Sequence, residues 1–189
     1  MAMFRKFRLN RGRAILRKKF ARMKRIKFKG NISSAKTMGL VWDASKPDDF
    51  TVLSRFHQKM LERNIDLRII SYYPGKEVPD RITAIRYLTC LKQQDLNYFF
   101  RPSSPEAEQF IKTPLDILID LNFRDNFPLE YISSLSNAGF KVGIFNNKYH
   151  TNPFDLMMEV RDTTDINDYL SQVIHYLEMI NTGKSKKTE

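Results

Sequence analysis

The sequence predicts an α/β fold: a three-layer sandwich around a mostly parallel sheet, Rossmann-like or flavodoxin-like, with a basic N-terminal extension. Three observations predict it. The runs "MGLVWDAS", "IDLRIISYYP", "PLDILIDLN" and "FKVGIFN" are short and continuously apolar, as strands buried on both faces are. Segments with apolar residues at helical spacing alternate with them, which implies crossover helices. The charge is also segregated. Residues 4–30, "FRKFRLNRGRAILRKKFARMKRIKFKG", hold thirteen Lys or Arg and no acid.

Each element has its own justification. A boundary is expected in the small polar stretch "GNISSAKT", separating an arm (1–36) from a domain (37–181). "MGLVWDAS" is the first strand. Ser45, Pro47 and Asp48 supply helix-start signals, and Phe50, Leu53, Phe56, Met60 and Leu61 define a helix over 48–63. "IDLRIISYYP" is the second strand, stopped at Pro74-Gly75. Ile82, Ile85, Leu88 and Leu91 fit a short helix. "LNYFFRP" reads as a strand or an aromatic loop, and "SPEAEQFIK" as a helical turn begun by proline. "PLDILIDLN" is a clear strand. "FPLEYISSLSNAG" is a helix with Gly139 as its C-cap. "FKVGIFN" and "FDLMMEV" are strands. "TTDINDYLSQVIHYLEMI" is a capped helix with an apolar stripe from Ile166 to Ile180. Residues 182–189 are polar and expected to be disordered. Within the arm, positions 13–28 fit a helix with Leu16, Phe20 and Met23 on one side.

Composition narrows the function. The apolar fraction of 42% supplies a core. No stretch of 18 uninterrupted apolar residues suggests a membrane span, and no apolar h-region suggests a secretory signal. Cys90 is the single cysteine, which excludes an internal disulfide and fits a reducing, cytoplasmic setting. The net charge is +11, yet residues 1–42 carry +14 and residues 43–189 carry −3. The basicity therefore belongs to the arm.

Catalytic signatures are absent. There is no G-x-G-x-x-G, no complete phosphate loop around "TGKS", no G-x-S-x-G and no H-x-x-x-H or H-E-x-x-H. His57, His150 and His175 are scattered, so no metal site and no cofactor is expected. Ligands of open α/β sheets bind beyond the strand carboxyl ends. Those ends carry Asp43, Ser45, Tyr72, Asp120 and Asn122, a candidate pocket, with Tyr73, Asn146 and Asn147 nearby. Asp43 and Asp120 could converge on Mg²⁺, but position 45 is Ser where a haloacid-dehalogenase-type site has Asp. Capping and turn roles explain these residues better. "SYYPGK" and "NYFFR" could stack bases but read more simply as sheet-edge or loop segments.

The arm carries most of the functional argument. Arg5, Lys6, Arg8, Arg11, Arg13, Arg17, Lys18, Lys19, Arg22, Lys24, Arg25, Lys27 and Lys29 are candidate phosphate contacts, interleaved with Phe4, Phe7, Phe20 and Phe28. Arg can both grip phosphate and stack on bases. The first expectation is an RNA-binding protein, not an enzyme, anchored to ribosomal RNA or a ribosomal subunit by an arm that orders on the RNA, with ribosomal proteins as possible neighbours. The second is a Rossmann-like enzyme or nucleotide-binding domain using the strand ends. The third is a peripheral membrane protein, disfavoured by the ragged apolar stripe of the arm. A transit peptide fits poorly, because the first 32 residues contain no Ser or Thr.

From Lys36 to about Ile180 the chain resembles a small family of Bacteroidetes proteins of unknown function. The resemblance rests on "TMGLVWDASKPDDFTVL", "IDLRIISYYPGK", "DLNYFF" and "PLDILIDLNFRDNFPLEYISSLSNAGFKVGIFN". It implies an α/β fold and a bacterial cytoplasmic setting, and it brings no reaction and no functional residues. Similar members also begin with a basic segment.

Overall fold

The computed structural model describes residues 2–45, 49–75, 77–83, 85–145, 150–160 and 165–180. The elements are α1 (Ala2–Phe20), β1 (Thr37–Asp43), α2 (Phe50–Glu62), β2 (Asp66–Tyr72), α3 (Asp80–Thr83), β3 (Leu88–Leu91), α4 (Pro105–Lys112), β4 (Ile117–Leu121), α5 (Phe127–Leu135), β5 (Phe140–Ile144), β6 (Leu156–Met158) and α6 (Ile166–Met179). The six strands form one parallel sheet in the order β3-β2-β1-β4-β5-β6. This is the doubly wound order, and its direction reverses between β1 and β4. Pro47, Asp48, Asn146, Asn147 and the tail 182–189 lie outside the described residues.

The central strands are apolar on both faces because both faces are covered. Met38, Leu40, Trp42, Leu67, Ile69, Ile117 and Ile119 pack with α2 and α6. Val41, Ile70 and Leu118 alternate to the other face and pack with Ala107 and Phe110 of α4 and Leu129 and Ile132 of α5. Local signals place the helices as expected. Ser104 accepts from the Ala107 N–H ahead of Pro105, and Asp165 accepts from the Asp168 N–H.

Three local expectations are corrected. Ile82, Ile85, Leu88 and Leu91 do not share a helix. A single turn, α3, is followed by the edge strand β3, whose backbone completes the ladder of β2. Gly139 is not a helix cap, since α5 ends at Leu135 and Ser136 is already extended. Glycine is needed at 139 because a Cβ there would lie 2.6 Å from the Phe28 backbone nitrogen. The arm helix is α1, not 13–28.

Helix α1 is docked on the body. Leu16 is fully buried against Phe127 and Tyr131 of α5, with Leu9 and Phe100 at its margin. Gly12 lets the helix backbone meet the Phe99 carbonyl, which a Cβ would strike. Residues 21–36 then run back along the molecule. Phe28 donates to the Gly139 carbonyl at 3.1 Å, and Ile32 and Ala35 are buried in the core. In place of an arm that orders only on a partner, this segment adds a layer outside α5.

Leu16→Ala should therefore lower stability by about 2–4 kcal/mol, as a buried leucine does. Urea unfolding followed by far-UV circular dichroism checks it. An unchanged midpoint would mean that α1 does not belong to the cooperative fold.

Candidate functional site

The cations of α1 divide by direction. Toward the body, Arg8 Nε donates to the Tyr98 carbonyl at 2.7 Å, and its guanidinium lies 4.2 Å and 4.4 Å from the Tyr98 and Phe100 ring centroids. In "NYFFR", Tyr98 and Phe100 thus stack on an arginine of α1. Phe100 holds a left-handed backbone, φ 58°, in the tight turn that presents these rings. Arg13 donates through Nη2 to both oxygens of Asp125 at 2.9 Å. Lys19 donates to the Tyr131 hydroxyl at 2.8 Å. Arg17, Lys18 and Lys19 fill the last turn, where cations suit the helix dipole.

Past α1, Asp155 is the anchor. It accepts from Arg25 at 2.6 Å, from Lys27, and from the Lys141 backbone N–H at 2.9 Å. Partial burial alone would raise this carboxyl. The bonds from Lys27, Arg25 and Lys141 outweigh burial and hold it below its usual range. Arg25 also donates to the Ala138 and Gly139 carbonyls.

Arg11, Arg17, Lys18, Arg22, Lys24 and Lys29 are exposed and make no hydrogen bond or ion pair among the described residues, and neither do Arg5 and Lys6 near the start of α1. Phe4 and Phe7 are 65% and 64% exposed, beside Met3 and the cations Arg11 and Lys18. The outer face is therefore a basic strip with aromatic knobs.

The strand-end residues serve mostly local roles. Asp43 accepts from the Ser45 N–H at 3.0 Å, closing the turn after β1. Asp120 and Asn122 are buried, and Asp120 accepts from the Asn122 N–H at 2.7 Å. Among the described residues no group of three or more His, Cys, Asp or Glu converges. Tyr72 differs, because it lines a cleft of about 620 Å³. Arg5, Lys6, Leu9 and Arg13 of α1 form one wall of that cleft, and Phe100, Asn126 and Phe127 line it too. Burial pushes the Tyr72 hydroxyl up; Arg5 opposes this and Asp43 adds to it. The sequence pointed to this edge of the sheet but missed the α1 wall. The available signal was the Leu9, Gly12, Leu16 spacing, which marks the docked side of α1 and so the direction of Arg5 and Arg13.

Other reactive side chains are quiet. Burial pushes the Cys90 thiol up. His57 stacks on Tyr87 at 3.6 Å, and burial lowers it. Glu130 is fully buried, and burial raises it against the opposing His150 and Arg13; it accepts from the His150 N–H at 2.7 Å.

The fold is a doubly wound α/β body with a basic helix across its carboxyl-end edge. Residues 9–180 match a family of unknown function, DUF6913, and the chain belongs to it. The match reaches back to residue 9, so it includes most of α1. No curated protein matches the chain.

Lys141 yields a pH prediction. It is fully buried, and its Nζ donates to the Ser133 and Ser134 carbonyls at 2.9 Å and 3.1 Å. Burial, then Arg25, lowers its pKa to about 7. In the unfolded chain it keeps its proton to about 10.4. Between these values the unfolded state binds more protons, so stability rises with pH. Urea midpoints from pH 7 to pH 9.5, compared with Lys141→Met, isolate this residue from the cysteine and tyrosines. The wild type should gain stability relative to the variant as pH rises. Parallel curves would show that Lys141 stays charged when buried.

Proposed function

We propose that the chain is an RNA-binding protein, without catalytic activity, that associates with ribosomal RNA in a bacterial cytoplasm through the outer face of α1 and the segment after it. One observation carries the reading: cations with no partner in the described fold crowd one exposed face of a docked helix. Like charges held this close repel one another, and a polyanion relieves the repulsion while releasing its counterions. Helix α1 has 19 residues. At ~1.5 Å per residue it is roughly 28 Å long, enough to follow several phosphates. Phe4 and Phe7 offer stacking surfaces for unpaired bases. The strip is folded beforehand, so binding needs little ordering of the chain.

A second reading follows from the same exposed Met3, Phe4 and Phe7, which would suit an anionic lipid surface. No helix among the described residues is long and apolar enough to cross a membrane. The exposed Phe4 and Phe7 are isolated among cations and form no continuous apolar face, which favours phosphate contacts over burial in a lipid surface.

Binding of a structured ribosomal RNA fragment, followed by fluorescence anisotropy against salt, tests the proposal. The slope of log K against log salt is about −0.7 to −0.9 per phosphate neutralised. Changing Arg11, Arg17 and Lys18 together to alanine should flatten the slope by about two to three. The variant should also leave the ribosomal fractions of a sucrose gradient. These three side chains are exposed, so the fold should hold. Weak, salt-independent binding with strong flotation on anionic vesicles would replace RNA with lipid.

A further inference from the structure

We infer that the cleft between α1 and the carboxyl ends of the strands is a binding site for a nucleotide-sized organic phosphate. This site is distinct from the outer RNA face and uses different side chains.

Size and place come first. The cleft measures about 620 Å³, within the ~300–1,000 Å³ usual for small-molecule sites. It lies along the edge of the parallel sheet where doubly wound folds bind ligands. Its walls are chemically divided. Leu9, Phe100 and Phe127 are apolar or aromatic, and Tyr72 adds a ring with a hydroxyl. Such a wall suits a flat organic group.

The charged wall is arranged for an anion. Arg5 and Lys6 line the cleft and make no hydrogen bond or ion pair among the described residues. Arg13 is bound to Asp125 through Nη2, yet its Nε is buried with no partner. A buried donor with no partner among the described residues is unfavourable, so a ligand acceptor within its reach would be favoured. Two cations with no partner, plus one spare guanidinium donor, exceed the single Asp125 carboxylate in the lining. Asn126 adds a buried Oδ1 without a partner, an acceptor for a sugar hydroxyl or a ring N–H. Asn126 also precedes α5 without capping it through its side chain, so the positive end of that helix faces the same region. Bare phosphate would leave the aromatic wall and Asn126 unused. An uncharged nucleoside would leave Arg5 and Lys6 unused.

Calorimetric titration of the full chain at low salt tests the inference. The probes are the four ribonucleoside 5′-monophosphates, their nucleosides and inorganic phosphate. At least one monophosphate should bind saturably and one-to-one, about tenfold or more tighter than its nucleoside and than phosphate. The pair Arg5→Ala and Lys6→Ala should weaken it about tenfold or more, whereas Arg17→Ala with Lys18→Ala should change it less than about twofold. Circular dichroism and the urea midpoint confirm folding, and Lys6→Gln alone gives a milder variant. Three results overturn the site: no saturable monophosphate, phosphate binding as tightly as nucleotide, or equal losses from the two alanine pairs. The RNA face is scored by Arg11, Arg17 and Lys18, so either claim can fail while the other stands.

Discussion

The structure depends on one constraint: α5 is apolar on both sides. Phe127 and Tyr131 point one way, Leu129 and Ile132 the other, and every residue from 127 to 134 is buried. A helix of this kind needs two covers. The sheet and α4 provide the first. Helix α1 provides the second, with Leu16 packed against Phe127 and Tyr131 and Phe100 at the margin. Without it the molecule would present a contiguous aromatic patch. The position of the basic segment therefore follows from the composition of α5, more than a hundred residues away in sequence.

Docking a strongly cationic segment sets an electrostatic problem, and the body answers it with few charges. Asp125 takes Arg13, and Asp155 takes Arg25 and Lys27. Asp125 is 47% exposed, so that pair contributes little, by roughly 0–1 kcal/mol. Asp155 and Arg25 are far better shielded, and aromatic faces and backbone carbonyls supply the other partners. Lys141 shows what this arrangement costs. It reaches the carbonyl end of α5, but burial first, and then the nearby Arg25, disfavour its charge. The cations the body does not satisfy are left on the outer face and along the cleft, where salt or an anion must screen them.

The sheet was legible because parallel strands buried on both faces leave continuous apolar runs, and the central strands carry them. β3 was not. It is four residues at an edge, and the spacing of Ile82, Ile85, Leu88 and Leu91 imitates a helix. Only pairing with β2 distinguishes the two, and pairing is non-local. Gly139 looked like a cap because it follows a helical pattern. Its real constraint comes from Phe28, in a distant segment. In α1 the charge density hides a docking stripe of only Leu9, Gly12 and Leu16. The strand-end edge was visible from topology, and Tyr72 does line the cleft there. Its cationic wall was not visible, because nothing local says that Arg5 and Arg13 turn inward while Arg11 and Lys18 turn outward.

This two-sided use of α1 has a thermodynamic consequence. The inner face contributes a wall of the cleft, and the outer face contributes the cationic strip. Both surfaces exist in their described form only while Leu16 is seated on α5. An anion at the inferred site beside Arg5, Lys6 and Arg13 would lower the free energy of the docked helix, and so would a polyanion on the outer strip. Two ligands that stabilise the same conformation over its alternatives must promote each other's binding, by the same factor in both directions. Their charges oppose this coupling, because each anion also neutralises the field that attracts the other. Salt separates the two contributions. Repulsion between exposed sites is screened, whereas the conformational term rests on buried apolar contact and is not.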